Sequence, residues 1–518
     1  MTTTARVASA DDSPGELVEE IEQQARRRPD AIAIIDGLST LTYQQMWAEV
    51  EARARSLRRA GVAAGDRIAL VAENSADFLV FAMAIWRAGG VLVTIYPSTA
   101  VPDLAYCLTN SDPVLVLTDA HTRQKVEEAA PALPLASVSD DEPDIPPTRQ
   151  GTLPNPDTDR GRLGLICFTS GTTSRPKAVM ISHEALHNGA MTYSAMWHLG
   201  SSDRTVVALP MAWLYGLDTT AMATLVRGGS VIALRRARPD VLVEAISTHG
   251  ATFLPGVTTM FVKLVNYLDE TADTPDLTSL RLCLSAGEPR NERAFLRWVT
   301  HTGVPIFDNY SASECFPLVT YDPAQSPEPI PGAAGVVAPH SELKVVDSNG
   351  REVAAGEIGE AWGRGPGVML GYWRNEEQTR AVLTDDNWYR TSDLVRVDEA
   401  GYVHVVGRLS DMIIRGGSNV SPAEVERTLR SHPDITDACV VALPDDIYGQ
   451  DVVAAIVISG DAPLDVADAL QFCRNNLPAY KVPSRAMILD ELPLSATTGK
   501  VDRRRVGDLL RHGSIAAG

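Results

Sequence analysis

FTSGTTSRPKAVMISH, residues 168–183, is the stretch on which the reading of this chain turns. It follows directly on the apolar run LGLICF (163–168), which reads as a buried strand. The strand delivers a polar loop: Thr169, Ser170, Thr172, Thr173 and Ser174 offer hydroxyl and amide donors, Gly171 lets a ligand approach the backbone, and Lys177 adds a cation. Such a set suits the β- and γ-phosphates of a nucleotide. The Gly-x4-Gly-Lys-Ser/Thr spacing of a P-loop is absent, so the cradle is of another kind. A flexible surface loop is the competing reading of these residues taken alone.

Outward from that loop, the first 300 residues alternate helix and strand signals. LVEEIEQQARRR reads as an amphipathic helix and AIAIID as a strand. LTYQQMWAEVEARARSLRRAG is a longer helix with a glycine stop, RIALVAE a strand, ADFLVFAMAIWRAGG a buried helix and VLVTIYP another strand. The rhythm continues through VVALP, RGGSVIAL and LRLCLSAGEP. Repeated alternation of this kind argues for α/β architecture, parallel sheets covered by helices. From about 330 the texture changes: GAAGVVAPHSELKVVDSNGREVAAGEIGEAWGRG (332–365) has short β runs between Gly and Asn-Gly turns, expected to form a small antiparallel barrel or sheet. A third texture begins near 409, where MIIRGGSNVSPAEVERTLRSHP gives a loop and a helix opened by Ser-Pro, followed by the strands ACVVALP and VVAAIVISG of a small α/β unit. The Pro- and Asp-rich region 141–160 is expected to be an exposed loop.

Composition narrows the function classes. The net charge is 46 − 66 = −20, which argues against nucleic acid or an anionic membrane as the main partner. The longest apolar run, FLVFAMAIW (78–86), falls short of the ~20 residues that span a bilayer, and MTTTARVASADDSPGE lacks a signal-peptide pattern. The six cysteines are scattered without metal spacing. A cytoplasmic protein with reduced, buried thiols is expected.

The stretch 169–178 resembles the Thr/Ser-Gly-Thr-Thr-Gly-x-Pro-Lys-Gly signature of the adenylate-forming superfamily: acyl- and aryl-CoA ligases, nonribosomal adenylation domains and firefly-type luciferases. Further segments follow in that family's order. DNYSASE (308–314) is similar to its adenine and magnesium segment, and YRTSD (389–393) to its ribose motif. GRLSDMIIRGGSNVSPAEVE (407–426) is similar to its hinge and second active-site loop, and PLSATTGKVDRR (493–504) to its catalytic-lysine segment. The resemblance covers nearly the whole chain. It implies a large N-terminal domain, 1–408, made of two doubly wound α/β subdomains plus a small β-barrel, and a small mobile α+β C-terminal domain, 409–518, carrying the lysine.

The resemblance also implies an activity, the making of an acyl-adenylate from a carboxylic acid and ATP with release of pyrophosphate, in the presence of Mg2+. Because a carboxylate must attack an anionic phosphate, positive charge has to collect where charge develops. Lys500 matches the residue that supplies it. Glu314 matches the magnesium ligand, Asp393 the carboxylate that takes the ribose hydroxyls, and Arg408 a ribose or phosphate contact. Ser285, Ala286, Gly287 and Glu288 match the segment edging the adenine and acyl pockets, Asn309 and Tyr310 border adenine, and Ser311 and Ser313 complete that motif. Asp393 read as a helix cap and Arg408 read as a surface ion pair are the plainer alternatives. The family's hinge carries Asp or Lys where this chain has Ser410. Ser174 and Ala178 replace family glycines in the phosphate loop.

The acceptor is read from LPMAWLYGLDTT (209–220). Aryl-CoA ligases carry a similar LPMxHxYxL run, but Trp213 stands in place of the histidine. Trp213, Leu214 and Tyr215 suggest an aromatic or bulky apolar acid, with a place in the hydrophobic core the equal alternative for these side chains. Asp218 stands where CoA ligases have an apolar or small neutral residue. It matches the acidic residue credited with activating the amine in the amide bond synthetases, a branch of the same superfamily, although capping of a helix through 219–229 is an equal alternative. Amide formation from a free amine is therefore the expectation. Transfer to coenzyme A through the loop RGGSN, with Gly416 and Gly417 passing pantetheine, is the alternative. Loading of a carrier protein is weaker, because Asp218 lies about three residues from the α-amino clamp of such domains. A non-catalytic nucleotide sensor would lose Lys500 or Glu314, and both are present.

Overall fold

The computed structural model describes residues 17–37, 39–139, 145–148, 163–169, 175–271, 275–459, 464–494, 501–512 and 516–517. Ser170, Gly171, Thr172, Thr173 and Lys500 therefore lie outside the described residues, as does most of the expected loop 141–160.

The strand Leu163–Thr169, which precedes residues 170–174, lies inside a seven-stranded sheet ordered 371–372, 177–182, 163–169, 91–94, 67–71, 115–118, 135–137. Its inner pairs are parallel: Arg67 stands opposite Val91, Leu92 opposite Leu165, Ile68 opposite Leu115. Strands buried on both faces explain the unbroken apolar runs RIALV and LVLT. The helices between them start and stop as their sequences specify. Tyr43–Arg59 opens on a capping box between Thr42 and Gln45, and Ala76–Ala88 is capped by Ser75 and ends at the left-handed Gly89.

A second sheet of nine strands runs 336–337, 315–320, 306–312, 282–286, 253–256, 204–207, 230–233, 32–36, 39–42. Parallel pairing runs unbroken from the strand at 32–36 to that at 306–312, so the strand ends carrying Ser285–Ala286 and Asn309–Tyr310 emerge side by side, Ser285 opposite Asp308 and Ala286 opposite Asn309. The Gly-rich stretch after 330 forms a four-stranded antiparallel sheet, 342–346, 358–364, 389–397 and 403–408. A separate sheet built on 435–445 and 449–458 has its own buried core, Ile413, Val425, Leu429, Ala454, Leu470 and Ala486 among it. The protein is thus a mixed α/β molecule with a large N-terminal and a small C-terminal domain. All six cysteines are buried and unbridged. Among the described residues no helix is long and apolar enough to cross a membrane.

Candidate active site

Antiparallel pairing places Thr169 opposite Lys177, so the strand ends flanking residues 170–174 are fixed as a pair. The Nζ of Lys177 sits 5.0 Å from the centre of the Tyr372 ring, and the Tyr372 hydroxyl donates to Glu314 Oε1 at 2.9 Å. Glu314 occupies the turn between the strands Ile306–Ala312 and Cys315–Thr320 and is buried. Burial pushes its carboxyl above the usual range, against the Tyr372 hydrogen bond and the positive charges of Lys177 and Arg408. Tyr372 was not among the residues singled out from sequence. It reaches the site because the two-residue strand 371–372 pairs with 177–182, across nearly 200 residues of chain, and no local pattern announces that.

Asp393 and Arg408 face each other on neighbouring antiparallel strands. Arg408 Nε donates to Asp393 Oδ1 at 3.0 Å, and the Tyr310 hydroxyl donates to Oδ2 at 2.9 Å. Asp393 is therefore no helix cap; it lies mid-strand in Tyr389–Val397. Burial raises its pKa and the Arg408 charge opposes the rise. Asn309 is buried beside Tyr310, with no partner for its Oδ1 among the described residues. The Ser311 hydroxyl is committed within the protein: it lies 2.9 Å from the Tyr193 hydroxyl, donates to Tyr310 O at 2.8 Å and accepts from Leu318 N–H at 3.0 Å. Ser313 lies beside Cys167. Gly287 takes the left-handed conformation at φ +77°. The carboxylate of Glu288 accepts from the Thr259 N–H at 2.7 Å and hydroxyl at 2.9 Å, which satisfies the first turn of helix Thr258–Glu270. Ser285 is buried against the Thr258 hydroxyl, 3.1 Å away, with Ala286 next to it.

Residues 209–220 turn sharply and then wind into a π-helix, Tyr215–Met222. Gly216 is required at that turn, since a Cβ there would stand 2.2 Å from Pro210 O. Trp213 is half-buried with its ring 5.3 Å from that of Tyr96, and the Tyr215 hydroxyl donates to Gly256 O at 3.2 Å. Leu214 belongs to the main hydrophobic core rather than standing free beside them.

Asp218 lies inside the π-helix, so it is not the first residue of the helix that follows. The Ala223 N–H donates to Asp218 O five residues back, the wide turn that defines this helix type. Asp218 is 0% exposed, and neither carboxylate oxygen has a hydrogen-bond partner among the described residues. A cap would accept backbone N–H groups; this carboxylate accepts none, which removes the capping alternative. Its pKa is raised well above the carboxylate range by burial. Gly189 makes room for it, since a Cβ at that position would lie 2.5 Å from Asp218 Oδ2 and 2.6 Å from the Phe316 ring. Most buried polar side chains have partners, so an unpartnered acid on a π-helix marks a place where stability yields to another demand.

In the C-terminal domain, Ser410 sits in the exposed 3-10 turn Leu409–Asp411 and donates to Asp411 Oδ1 at 2.9 Å. Gly416 and Gly417, at φ +57° and +83°, form the turn between strands 413–415 and 418–420, and the Tyr448 ring lies against Gly416. Lys500 is outside the described residues, but Arg503 anchors the helix that follows it. Its Nη1 and Nη2 reach the buried Glu426 carboxylate at 2.5 and 3.0 Å, and Nη1 also donates to Val440 O at 2.8 Å. The run of arginines in the sequence did not distinguish this one, because only the fold brings Glu426 to it.

The fold and site define a ligase that activates acids with ATP. Residues 21–373 match the family of AMP-binding enzymes and residues 424–500 the AMP-binding enzyme C-terminal domain. The chain belongs to that family and is an adenylate-forming acid ligase. It is 33% identical over 497 residues to a feruloyl-CoA synthase of Amycolatopsis sp, covering 94% of this chain and 98% of the relative. The ATP-bound structure of MatB from Rhodopseudomonas palustris is similar at a TM-score of 0.85 and 28% identity, covering 96% and 99% of the two chains. The amide bond synthetase McbA from Marinactinospora thermotolerans is similar at a TM-score of 0.84 and 26% identity, covering 95% and 99%.

Proposed function

We propose that this chain adenylates an aromatic or bulky apolar carboxylic acid and passes the acyl group to an amine. The substrate carboxylate oxygen attacks the α-phosphorus of ATP, and pyrophosphate leaves with the bond electrons. The amine nitrogen then attacks the acyl carbon, AMP leaves, and the amine yields a proton. The observation that carries the second step is Asp218, a buried carboxylate with no partner among the described residues. A carboxylate with raised proton affinity is a better base than one in water, and an amine N–H would be the first donor either oxygen meets.

In the first step, Lys177 and the loop 169–174 hold the phosphates and Lys500 meets the charge developing at the α-phosphate. Asp393 is fixed by Tyr310 and Arg408 while keeping lone pairs for the ribose hydroxyls. Glu314 fits a hard divalent cation in being a buried oxygen donor, with the Tyr372 hydroxyl and the charges of Lys177 and Arg408 around it. Phosphate oxygens of ATP would complete the coordination of such an ion. That ion would neutralise phosphate charge. Trp213 and Tyr215 would line the acyl side. Residues 1–408 would form the body of the site, with 409–518 bringing Lys500 to it.

Transfer to coenzyme A is the second reading. It is favoured by the likeness to feruloyl-CoA synthase and by the left-handed Gly416–Gly417 turn, in which Gly417 has open space around it. The deciding experiment supplies purified protein with ATP, Mg2+ and a panel of aryl and fatty acids, divides each reaction between CoA and an arylethylamine, and reads products by mass spectrometry. Amide without thioester supports the proposal; thioester without enzyme-dependent amide overturns it.

A further inference from the structure

Asn309 is 7% exposed, and its Oδ1 has no hydrogen-bond partner among the described residues. It lies on the strand Ile306–Ala312, where successive side chains point to opposite faces. Tyr310 takes the face of Asp393, its hydroxyl donating to that carboxylate. Asn309 takes the other. Its neighbours across the sheet are Ala286 and Thr320. Trp197, at the end of helix His183–Met196, donates from Nε1 to Thr320 Oγ1 at 3.0 Å. Asn309 therefore faces that helix and the π-helix Tyr215–Met222 packed on it, away from the ribose carboxylate.

The surrounding hydrogen bonds fix which end of the amide is turned where. Leu318 N–H donates to Ser311 Oγ, and the Ser311 hydroxyl donates to Tyr310 O. The Tyr193 hydroxyl, 2.9 Å from Ser311 Oγ, is then the donor of that pair. Burial raises the Tyr193 pKa, with Ser311 and the Asn309 amide opposing the rise. An amide opposes it through its N–H end. The Asn309 N–H thus faces the Tyr193 oxygen, and Oδ1 points elsewhere as an acceptor. Neither tyrosine of this region serves it: the Tyr193 hydroxyl is spent on Ser311, and the Tyr215 hydroxyl donates to Gly256 O at 3.2 Å. Asp218, the other buried acceptor without a partner among the described residues, lies within electrostatic reach of Tyr193, as does Tyr215. This wall offers acceptors and keeps its own donors occupied.

We infer that Asn309 selects the acid: it favours one carrying a hydroxyl or N–H remote from the carboxylate over the same acid without that donor. The inference rests on the adenylation reading and is independent of what accepts the acyl group. An acceptor already stripped of water gains a hydrogen bond from such a donor, while an unsubstituted or methyl-capped acid leaves it unpaired. Sites built around one hydrogen bond discriminate in this way against the analogue that lacks it. Asn309 takes part in no covalent step; it acts on which acid is held in place.

Full-length protein is assayed by ATP–pyrophosphate exchange without amine or CoA. The acids are cinnamic acid, its ortho-, meta- and para-hydroxy derivatives and the matching methoxy acids. At the best-fitting ring position, kcat/KM should favour the hydroxy acid over both the parent and the methoxy acid by about tenfold. Asn309→Leu, close in size and without an acceptor, should bring that ratio to about one or below. Asn309→Ala should do the same and guards against distortion by the leucine. Losses common to all acids cancel in the ratio, so a merely structural role leaves it unchanged. Calorimetric titration with the same acids reads the ratio without turnover. A wild-type ratio near one at every ring position overturns the inference. So does a ratio that survives in both variants; a rise in the KM for ATP beside it would assign Oδ1 to adenine. A preference that emerges only when an amine is added would assign Oδ1 to the amine, and overturns the inference as well. No exchange with any acid, with the binding ratio intact, would sink the adenylation reading and leave Asn309 standing.

Discussion

Asp393 and Asp218 are both buried aspartates of the N-terminal domain, and they are solvated by the protein in opposite ways. Each oxygen of Asp393 has a donor, Arg408 on one and Tyr310 on the other. Neither oxygen of Asp218 has one among the described residues. Burial raises both pKa values, but only at Asp393 does a cation oppose it. The difference teaches how to read a buried carboxylate. One whose lone pairs are already partly taken is pre-positioned to hold a ligand in a fixed geometry. One with none taken is costly to keep; on the proposed amide-forming reading the amine supplies the missing donor.

The two can be forced apart by mutation, with Lys500 setting the scale. Lys500→Ala should lower ATP–pyrophosphate exchange by about 10²–10³-fold, because it removes charge where the transition state develops it. Exchange at the wild-type rate would remove Lys500 from the mechanism. Asp218→Asn should slow amide formation by about 10²-fold while exchange stays within about threefold of wild type. Parallel loss of both half-reactions would make Asp218 a structural residue.

Stability should separate the pair by sign. Asp393→Asn leaves Arg408 and Tyr310 with a poorer acceptor and should cost about 1–3 kcal/mol in denaturant unfolding; Asp218→Asn removes an unpaired buried acid and should cost nothing or stabilise. Gly189→Ala sharpens the same point. Its methyl would crowd Asp218 Oδ2 and Phe316, so a loss of about 1–3 kcal/mol is expected, partly relieved in the Gly189→Ala/Asp218→Ala double variant, in which the crowded carboxyl is gone. The smallest effect is the pH dependence. The folded pKa of Asp218 is raised, so the folded state binds the proton more tightly and stability is lost as pH rises above the unfolded value of about 3.9. Asp308 behaves likewise, pushed up to about 6 by burial against the pull of Arg290, so its share of the loss falls between about pH 4 and 6. Asp218→Asn should lessen the loss of stability above about pH 4 and keep the Asp308 share between about pH 4 and 6. A wild-type profile that matched Asp218→Asn at every pH would contradict the raised pKa.

Much of this molecule is legible along the chain. The apolar runs RIALV, LVLT and LGLICF are strands because nothing but a doubly covered sheet buries such segments. Thr42, Ser75 and Ser421 cap helices because their side chains accept the first free N–H groups. Those are local effects, set within four residues. The ordered motifs around 169–177, 308–314, 389–393, 407–426 and 493–504 likewise identify the family, since each is a short segment with its own chemistry.

What the sequence could not decide is who meets whom across the fold. Whether Asp218 capped a helix or stood alone depended on a π-turn and on Gly189 of a neighbouring helix. That Glu314 shares a tyrosine with Lys177, that Glu288 is spent on Thr259, and that Arg503 rather than its neighbours grips Glu426 all follow from strand pairing and helix docking over long separations. Local propensity fixes where elements begin and end. Charge, desolvation and hydrogen-bond satisfaction are properties of the packed interior, and so only the tertiary structure could separate a partnered carboxylate from one with no partner among the described residues.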